Sequence, residues 1–494
     1  MSRPLNVLFV ASEVVPFAKT GGLADVAGAL PPVIKELGHE IRITMPRYGI
    51  IGERKFRLHD IVRLHAQSIP MATTPVDISI KSSYTANAKS KVQVYFLDNP
   101  HYFGRDGLYG DPVNKNKAYS DNDERFILFC RGTLETLKKL GWQPDIIHCN
   151  DWQTGLIPAY LKTVYRSDPF FKDTKTVFTV HNLAYQGIFP ESSFQKSGLP
   201  PEVYHPEGVE FFGNFSFLKA GLTYADVITT VSEKYAEEIR TLEEFGCGLD
   251  GLLERRKNDL FGILNGIDYE DWNPEIDSYI PVRYSPKSID GKHENKKALL
   301  KRMGLPIVES IPLLAMISRL ADQKGFDILQ KAADDLMKLP IQFVVLGTGE
   351  KKYHDFLENL KKNNPKQVGI KLGFDTELAH LIEAGADIFL MPSWYEPCGL
   401  NQLYSLKYGT VPVVRATGGL DDTIEDYDPA SSTGTGFKFT QYDAREFLNA
   451  VERAVSLYSH REAWLRLVRN GMAKDFSWEV SAKKYIQLYK KLAK

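Results

Sequence analysis

The chain has 494 residues, too many for one ordinary hydrophobic core, so we expect two domains. Hydrophobic residues make up 43% of the sequence and charged residues 25%, which is typical of a folded globular protein and excludes a disordered chain. With 61 Lys and Arg against 62 Asp and Glu, the net charge of -1 gives no overall field that would attract nucleic acid or a membrane surface.

The cysteine pattern and the apolar runs bear on location. Four cysteines occur in the chain: Cys130, Cys149, Cys247 and Cys398. They form no C-x-x-C pair and are too few for a disulfide scaffold, so we expect a cytoplasmic protein. Residues 5–11 are apolar, but Glu13 follows them without a cleavage pattern, which favours a buried strand over a signal peptide. No apolar run approaches the roughly 20 residues that cross a bilayer, so no membrane partner is expected.

Short apolar runs alternate with amphipathic stretches through the first half of the chain. The runs predicted as buried strands are 5–11, 41–45, 92–97, 145–149, 175–180 and 226–231. The stretches predicted as helices are 23–37, 123–140, 153–164 and 232–241. This alternation predicts right-handed crossover connections and a mostly parallel sheet.

The pattern restarts after a strand predicted at 261–265 and a polar, irregular segment at 266–300. The strands predicted in this second series are 311–317, 341–346, 368–373, 387–391, 411–414 and 436–439. Its predicted helices are 325–337, 376–384, 399–408, 443–456 and 459–472. We therefore predict an N-terminal domain at 1–260, a C-terminal domain at 261–475, and a helix at 476–494 that returns to the first domain as a strap.

The fold class that follows is α/β, with two Rossmann-like, doubly wound domains. Open parallel sheets bind ligands at the carboxyl ends of their strands, and two such ends that face each other would enclose a central cleft. Most of the chemistry-bearing residues below directly follow a predicted strand.

The first candidate site is the turn Lys19-Thr20-Gly21-Gly22, which follows the first strand and precedes a helix that contains Asp25. Adjacent glycines allow a close backbone approach to a ligand, and a helix start offers free N–H groups. An ordinary tight turn explains the same residues equally well. The spacing matches neither G-x-G-x-x-G nor G-x-x-x-x-G-K-[ST].

The second domain supplies comparable residues. Arg319 follows a predicted strand, and Lys324 precedes a predicted helix, so the two cations suit a diphosphate. Thr417-Gly418-Gly419 is a second glycine pair at a strand-to-helix junction and mirrors Gly21-Gly22. For a single Arg-Lys pair, a surface loop with solvated charges is the more common explanation.

The most informative segment is Glu396-Pro397-Cys398-Gly399-Leu400, between a predicted strand and a predicted helix. Glu396 can accept hydrogen bonds from two sugar hydroxyls, and the amides of Cys398, Gly399 and Leu400 lie at the predicted helix start, where they can hold a phosphate. A helix cap bounded by a proline is the structural alternative. No neighbouring histidine in the sequence favours Cys398 as a nucleophile.

In the first domain, Asp151 and His181 each follow a predicted strand and can both reach a sugar at the carboxyl edge. Each can equally serve as a cap or a loop residue. Asp121-Asn122-Asp123 is a D-x-D pattern, which some transferases use for a divalent ion, but its place just before a predicted helix favours N-capping. We expect no metal.

Taken together, these segments resemble the bacterial glycogen synthase and plant starch synthase family, whose members are glycosyltransferases of the GT-B fold. The resemblance covers essentially the whole chain. Its markers are 19–26, 150–152, 180–187, 265–268, 318–320 with 324–325, 396–400 and 417–420. One departure is His148-Cys149-Asn150-Asp151-Trp152, in place of the commoner His-x-His-Asp-Trp, and it leaves Asp151 intact.

The resemblance implies transfer of glucose from ADP-glucose to the non-reducing end of an α-1,4-glucan such as glycogen, with retained configuration and no cofactor. It implies that Lys19 contacts the donor and that Arg319 and Lys324 stabilise the leaving diphosphate. It implies that Glu396 binds the glucose 3- and 4-hydroxyls. It places Asp151, His181 and Asn265 around the transferred glucose, and it assigns backbone contacts to Gly22, Cys398, Gly399 and Leu400.

Several alternatives stay open at this point. Another GT-B hexosyltransferase with UDP-glucose as donor, a phosphorylase with pyridoxal phosphate, and a non-catalytic glucan-binding protein all share parts of the pattern. The residues do not decide between ADP-glucose and UDP-glucose, and they do not determine an oligomeric state.

No carboxylate stands out as a nucleophile, so we expect front-face substitution rather than double displacement. We also expect closure of the two domains to expel water and bring Lys19 towards Arg319 and Lys324.

Overall fold

A computed structural model of the chain describes residues 3–72, 74–85, 90–112 and 117–494. It divides into two compact units. Unit 1 comprises Met1–Val231, Ala236–Gly266 and Trp478–Lys494, and unit 2 comprises Ser232–Tyr235 and Ile267–Ser477. Among the described residues, no helix has the combined length and apolar character needed to span a membrane.

Unit 1 is built on a large sheet with helices between its strands. Its strands are β1 (Asn6–Val10), β2 (Glu40–Pro46), β3 (His59–Asp60), β4 (Gln67–Ile69), β5 (Val76–Tyr84), β6 (Gln93–Asp98), β7 (Ile146–Asn150), β8 (Lys175–Val180), β9 (Ile188–Pro190), β10 (Glu210–Phe211), β11 (Asn214–Ser216), β12 (Val227–Thr230) and β13 (Leu260–Gly262). The helices in this part of the chain are α1 (Gly22–Glu36), α2 (Glu53–Phe56), α3 (Asn122–Leu140), α4 (Leu156–Lys162), α5 (Glu191–Ser197), α6 (Phe217–Tyr224), α7 (Glu233–Thr241), α8 (Glu243–Gly246) and α9 (Asp250–Arg255).

The order of the strands fixes where a ligand can bind to unit 1. In the described residues the large sheet runs β13-β12-β8-β7-β1-β2-β6-β5-β3, and β4 also pairs with β5. The strands from β13 to β6 are parallel, as the alternating pattern predicts, whereas β3, β4 and β5 form an antiparallel edge. After β1 the chain builds outward through β2, and after β7 it builds in the opposite direction. The boundary between β1 and β7 is therefore the topological switch point, where open α/β sheets bind ligands.

The C-terminal helix Trp478–Leu492 packs within unit 1. Its Tyr489 hydroxyl lies 2.6 Å from Nδ1 of His148, a buried residue of β7. The hydroxyl of Ser481 donates to the carbonyl of Leu264 at 2.5 Å. These two contacts hold the C-terminal helix against β7 and against the segment that follows β13.

Unit 2 has a second sheet of similar design. Its strands are β14 (Leu313–Ile317), β15 (Gln342–Gly347), β16 (Val368–Leu372), β17 (Ile388–Met391), β18 (Val411–Arg415) and β19 (Phe437–Phe439). Its helices are α10 (Asp290–Met303), α11 (Phe326–Leu336), α12 (Lys351–Asn363), α13 (Thr376–Gly385), α14 (Asn401–Tyr408), α15 (Gly418–Thr423), α16 (Ala444–Tyr458) and α17 (Arg461–Met472). The C-terminal helix of unit 1 is α18.

Apolar side chains cover both faces of the second sheet, as a parallel sheet requires. Leu314 and Met316 of β14 belong to one buried cluster, and Leu313 and Ala315 of the same strand belong to the other. The strand order in the described residues is β16-β15-β14-β17-β18-β19, and every pairing is parallel. The switch point of unit 2 lies between β14 and β17.

The prediction of an irregular segment at 266–300 is wrong over its last part, where α10 begins at Asp290. The inward face of α10 follows helical spacing, but three of its buried residues are polar: Lys292, Asn295 and Lys296. Nζ of Lys292 donates to the Thr410 hydroxyl at 2.6 Å, and Nζ of Lys296 lies 2.7 Å from the Asp387 carboxylate. Because hydrogen bonds replace apolar packing on this face, the hydrophobic pattern does not reveal the helix.

Candidate functional site

The candidate residues of unit 1 gather at the carboxyl ends of β1, β7 and β8, beside the switch point. Glu13 and the Lys19–Gly22 turn follow β1, Asp151 follows β7 directly, and His181 follows β8 directly. Asn150, the last residue of β7, joins two of these strand ends: its Nδ2 donates to the carbonyl of Val10 at 3.0 Å, and its Oδ1 lies 3.0 Å from Nε2 of His181.

Glu13 organises this edge, although it is not among the residues predicted for the site. Its carboxylate is buried and accepts hydrogen bonds from the Thr20 amide, from the Thr20 hydroxyl at 2.6 Å and from the Gly21 amide at 3.2 Å. The hydroxyl of Tyr109 also donates to it at 2.6 Å. The sequence did contain a signal for Glu13, because it is a carboxylate three residues beyond the first strand, where parallel sheets bind ligands.

The Lys19–Gly22 turn keeps an open face. Ideal Cβ atoms placed on Gly21 and Gly22 meet no atom within 4 Å, so a ligand can approach the backbone there. Two of the turn's amides, those of Thr20 and Gly21, are already engaged by Glu13. Lys19 is half-exposed, and its Nζ lies 2.7 Å from the carboxylate of Asp25 in the first turn of α1. The helix start and the lysine thus lie together, but the lysine charge is partly neutralised.

Asp151 lies in an unusual backbone conformation, with φ 57 and ψ 178. Its Oδ1 accepts the amide of His181 at 2.8 Å. Desolvation raises the pKa of Asp151 to about 7; the hydrogen bond from the His181 amide opposes this, and the negative charge of Glu13 adds to it. Strained non-glycine conformations cost about 1–3 kcal/mol and are concentrated at functional sites. Asp151 therefore combines backbone strain with a carboxyl group that titrates near neutrality.

His181 is held as a neutral imidazole. Desolvation lowers its pKa to about 3, so the ring carries one proton at neutral pH. Because Nδ2 of Asn150 donates to two carbonyls, Oδ1 of Asn150 faces the ring, and Nε2 of His181 is the protonated nitrogen. Nδ1 of His181 is therefore the ring nitrogen that can accept a hydrogen bond, for example from a sugar hydroxyl.

Two other predicted groups in unit 1 have different outcomes. Asn265 follows β13 and is buried, and its Oδ1 has no hydrogen-bond partner among the described residues. The capping explanation for the D-x-D pattern is wrong in detail: Asp121 occupies the N-cap position of α3 but makes no side-chain capping bond. Asp121 instead forms a two-pronged ion pair with Arg105, and Asp123 pairs with Lys196 at 2.9 Å.

In unit 2, the loops after β14 and β17 lie side by side at the switch point. The Trp394 amide donates to the carbonyl of Gln323 at 2.9 Å. Gly325 has φ +79, and a Cβ atom there would lie 2.1 Å from the carbonyl oxygen of Pro392, so only glycine lets the loops approach this closely. The Arg319 guanidinium is exposed and donates to Oε1 of Gln323 at 3.0 Å.

Lys324 and Glu396 meet at this junction. Nζ of Lys324 lies 2.6 Å from Oε2 of Glu396, and the Ser393 hydroxyl donates to the same oxygen at 3.2 Å. The side chain of Glu396 is 8% exposed and that of Lys324 is 23% exposed. The structure brings together a cation predicted to bind phosphate and a carboxylate predicted to bind sugar, with one face of the pair open to solvent.

The two loops that follow β17 and β18 are joined backbone to backbone. The amide of Gly419 donates to the carbonyl of Glu396 at 3.0 Å. A Cβ atom on Gly418 would lie 2.1 Å from the Glu396 carbonyl oxygen, and one on Gly419 would lie 2.0 Å from that of Cys398. Both glycine pairs lie at the start of a helix that follows a strand, as predicted, but their surroundings differ: Gly21-Gly22 faces open space, whereas Gly418-Gly419 is required by contact with the neighbouring loop.

The start of α14 also differs from the prediction. The helix begins at Asn401, and Leu400 is its N-cap, so Cys398 and Gly399 precede it. Gly399 has φ +71, a left-handed conformation that favours glycine. Thr417 is the N-cap of α15 and makes no side-chain capping bond. The amides at the starts of α14 and α15 thus lie in two loops that pack against each other.

One aromatic residue on the same edge was missed. Phe374 follows β16 after Gly373 and is 96% exposed. A nearly free aromatic ring beside a ligand-binding edge offers a stacking surface. Within the described part of the chain, no group of three or more His, Cys, Asp or Glu side chains lies together as a metal ion would require.

Comparison with known proteins places this arrangement in a family. A family profile described as "Starch synthase catalytic domain" matches residues 6–255, and one described as "Glycosyl transferases group 1" matches residues 301–470. A glycogen synthase of Desulforudis audaxviator is 47% identical over 99% of this chain and 96% of its own length. A glycogen synthase of Thermotoga maritima is also 47% identical, over 99% of both chains.

A solved structure agrees with these sequence relationships. The catalytic domain of starch synthase IV from Arabidopsis thaliana, bound to ADP and acarbose, superimposes with a TM-score of 0.88 at 32% identity. The match covers 99% of this chain and 100% of that one. The two α/β units, their polar carboxyl edges and these similarities agree: the chain is a glycosyltransferase of the GT-B fold and belongs to the glycogen synthase and starch synthase family.

Proposed function

We propose that the chain transfers glucose from ADP-glucose to the non-reducing end of an α-1,4-glucan, with retention of configuration and without a metal or other cofactor. The observation that carries the proposal is the junction of Lys324 with Glu396 at the switch point of unit 2. A diphosphate needs a fixed cation, and a glucosyl group needs a buried acceptor of hydroxyl hydrogen bonds. A cytoplasmic location is part of the same proposal.

The residues of unit 2 take defined parts in donor binding. Arg319 and Lys324 neutralise the negative charge that develops on ADP as it leaves, and the amides around Gly399 and Leu400 add N–H groups without a change of charge. The second carboxylate oxygen of Glu396, Oε1, accepts the glucose hydroxyls. Phe374 offers a flat apolar face for the adenine ring, since base stacking on aromatic side chains is worth about 1–3 kcal/mol.

The residues of unit 1 serve the glucose and the acceptor. Neutral His181 accepts a hydroxyl hydrogen bond at Nδ1, and the carboxyl group of Asp151, which the amides of His181 and Asn182 hold in place, binds a second sugar hydroxyl. Glu13 holds the Lys19–Gly22 turn in place. The contact of Lys19 with the donor is taken from the family resemblance.

The reaction itself is proposed as a front-face substitution. The bond between glucose C1 and the β-phosphate oxygen breaks, a bond from C1 to the acceptor 4-hydroxyl oxygen forms, and the hydroxyl proton passes to the departing phosphate. The buried carboxylates of Glu13 and Glu396 are each committed to hydrogen bonds or an ion pair, which disfavours either as a nucleophile. Capture of a covalent glucosyl-enzyme would contradict this mechanism.

A donor-competition assay tests the proposal. The protein is incubated with glycogen and with ADP-glucose, UDP-glucose or an equimolar mixture of the two, and the release of each nucleoside diphosphate is measured. We expect ADP release that depends on glycogen and is not displaced by equimolar UDP-glucose. Preferential release of UDP would assign the chain to the UDP-glucose alternative, and absence of release from both donors would support a non-catalytic glucan-binding role.

A further inference from the structure

Gln402, the second residue of α14, occupies a position between the two loops that form the donor edge of unit 2. Its side chain is fully buried. Its Nε2 lies 3.0 Å from the carbonyl oxygen of Cys398, 3.0 Å from that of Gly399 and 3.3 Å from the hydroxyl oxygen of Thr423. One amide group thus contacts the loop after β17 and the last residue of α15.

These contacts belong to a continuous set of hydrogen bonds. The Thr423 hydroxyl donates to the carbonyl of Gly419 at 2.6 Å. The Gly419 amide in turn donates to the carbonyls of Glu396 at 3.0 Å and Pro397 at 3.2 Å. A displacement of Gln402 would therefore disturb both the segment that carries Glu396 and the glycine pair packed against it.

The orientation of the Gln402 amide follows from its neighbours. The carbonyls of Cys398 and Gly399 can only accept, and the Thr423 hydroxyl proton is used by Gly419, so all three neighbours require a donor. A rotation of the amide by 180° would set its oxygen against two carbonyl oxygens. Oε1 has no hydrogen-bond partner among the described residues and lies 2.4 Å from the place of a Cβ atom on Gly399.

We propose that Gln402 is a positioning residue for the donor: it holds the loop 398–400 against Gly418-Gly419 and so fixes the amides of Gly399 and Leu400 in the arrangement that holds the diphosphate. The proposal rests on the proposed function, because it requires a nucleoside diphosphate at this edge. Gln402 acts through the two loops and does not itself touch the donor. Its effect is expected on donor affinity and not on the affinity for glycogen.

Gln402→Met is the direct test, because methionine conserves the volume and removes the donor. The probe is ADP, with its Kd measured by calorimetry, and the KM values for ADP-glucose and glycogen are measured on the same preparations. We expect the Kd of ADP and the KM of ADP-glucose to rise about tenfold, which corresponds to the loss of one or two hydrogen bonds. The KM of glycogen should stay within about twofold.

Gln342→Met is the matched control. Gln342 begins β15, at the opposite end of the sheet, and is also buried, with Nε2 donating to the carbonyl of Pro306 at 2.7 Å and Oε1 without a described partner. This variant should lower Tm as Gln402→Met does, yet leave the Kd of ADP unchanged. Equal losses of ADP affinity in the two variants would overturn the proposal, because they would show a merely structural effect.

Gln402→Glu supplies a readout that packing alone would not produce. An ionised carboxylate would face two carbonyl oxygens, and burial raises its pKa; once protonated, it has an O–H that can donate to one of them. The ratio of its ADP affinity to that of the unmodified protein should therefore rise as the pH falls, whereas the ratio for Gln402→Met should stay flat. Flat ratios for both variants, or unchanged ADP binding by Gln402→Met, would overturn the proposal.

The unmodified protein is measured first, so that the two failures are distinguishable. If it binds no ADP, the proposed function fails before any variant is compared. If it binds ADP and Gln402→Met binds ADP equally well, only the role of Gln402 fails.

Discussion

Lys324 and Glu396 lie 72 positions apart in the sequence, and their side chains meet at 2.6 Å where the loops after β14 and β17 pack together. The pair lies at the point where the strand order of unit 2 reverses. Each of the two charges compensates the other. A donor that brings a diphosphate and sugar hydroxyls gives each of them a second partner, so the pair is suited to bind the diphosphate and the sugar of one molecule.

Loss of the lysine should affect turnover more than acceptor binding. Lys324→Ala removes the fixed cation beside the leaving diphosphate, and loss of one such electrostatic contact commonly lowers kcat about 10²–10³-fold. The measurement is steady-state kinetics with ADP-glucose, together with glycogen binding by cosedimentation. Lys352→Ala is the control, since Lys352 is an exposed lysine of the same unit that pairs with Asp322. Equal activities of the two variants would contradict the assigned role.

Replacement of Glu13 should disorganise the carboxyl ends of β1, β7 and β8 in unit 1, where we propose that the glucose and the acceptor are bound. In Glu13→Gln one carboxylate oxygen becomes an NH2 group. Either the amides of Thr20 and Gly21, which donate to Oε2, or the hydroxyls of Thr20 and Tyr109, which donate to Oε1, then lose their acceptor. We expect a loss of about 1–3 kcal/mol in the free energy of unfolding and a marked fall in kcat, measured by urea denaturation and by ADP release. Glu135→Gln, which alters a comparable contact with Tyr165, should cost stability without lowering kcat. A fully active Glu13→Gln protein would refute this role.

Stability should depend on pH through Asp151. Its folded-state pKa of about 7 lies above the ordinary aspartate value of 3.8, so the folded protein binds the proton more tightly than the unfolded chain does. The contribution of this group to the free energy of unfolding therefore falls as the pH rises from about 4 to about 7, and changes little at higher pH. Asp151→Asn should remove this part of the pH dependence. Urea denaturation of both proteins from pH 5 to pH 8 checks it, and parallel curves would contradict the raised pKa.

Removal of the exposed ring at Phe374 should weaken donor binding selectively. Phe374→Ala takes away a stacking surface of about 1–3 kcal/mol, so we expect the KM of ADP-glucose to rise about tenfold with little change in the KM of glycogen. The competing affinity of ADP should fall, while that of inorganic pyrophosphate should not. Phe212→Ala, at an exposed phenylalanine of unit 1, is the control. Unchanged ADP competition would show that the base lies elsewhere.

Most of the strands and the mostly parallel sheets were predictable, because buried strands and amphipathic helices leave different apolar periods. The elements that were missed carry other signals. The inward face of helix α10 contains Lys292 and Lys296, which are buried with their ammonium groups hydrogen-bonded. The sequence of this helix therefore lacks an apolar periodic pattern. The short strand β3 at the antiparallel edge of unit 1 is exposed, so it leaves no apolar run.

The candidate residues were predictable from their place after strands, but their partners were not. Sequence spacing does not show that Lys324 forms an ion pair with Glu396, or that Glu13 accepts hydrogen bonds from the amides of Thr20 and Gly21. The two glycine pairs are identical in sequence, yet Gly418-Gly419 packs against a neighbouring loop, whereas Gly21-Gly22 has open space beside it. Such differences arise from contacts between distant segments, which a local pattern does not encode.

The most direct test of the central claim is the stereochemistry of transfer. The protein is incubated with ADP-glucose labelled with ¹³C at glucose C1 and with a maltooligosaccharide acceptor, and the anomeric signals of the product are followed by NMR. We predict incorporation of label as a new α-1,4-linked residue at the non-reducing end. A β-linked product, or labelled glucose released without elongation of the acceptor, would contradict the account.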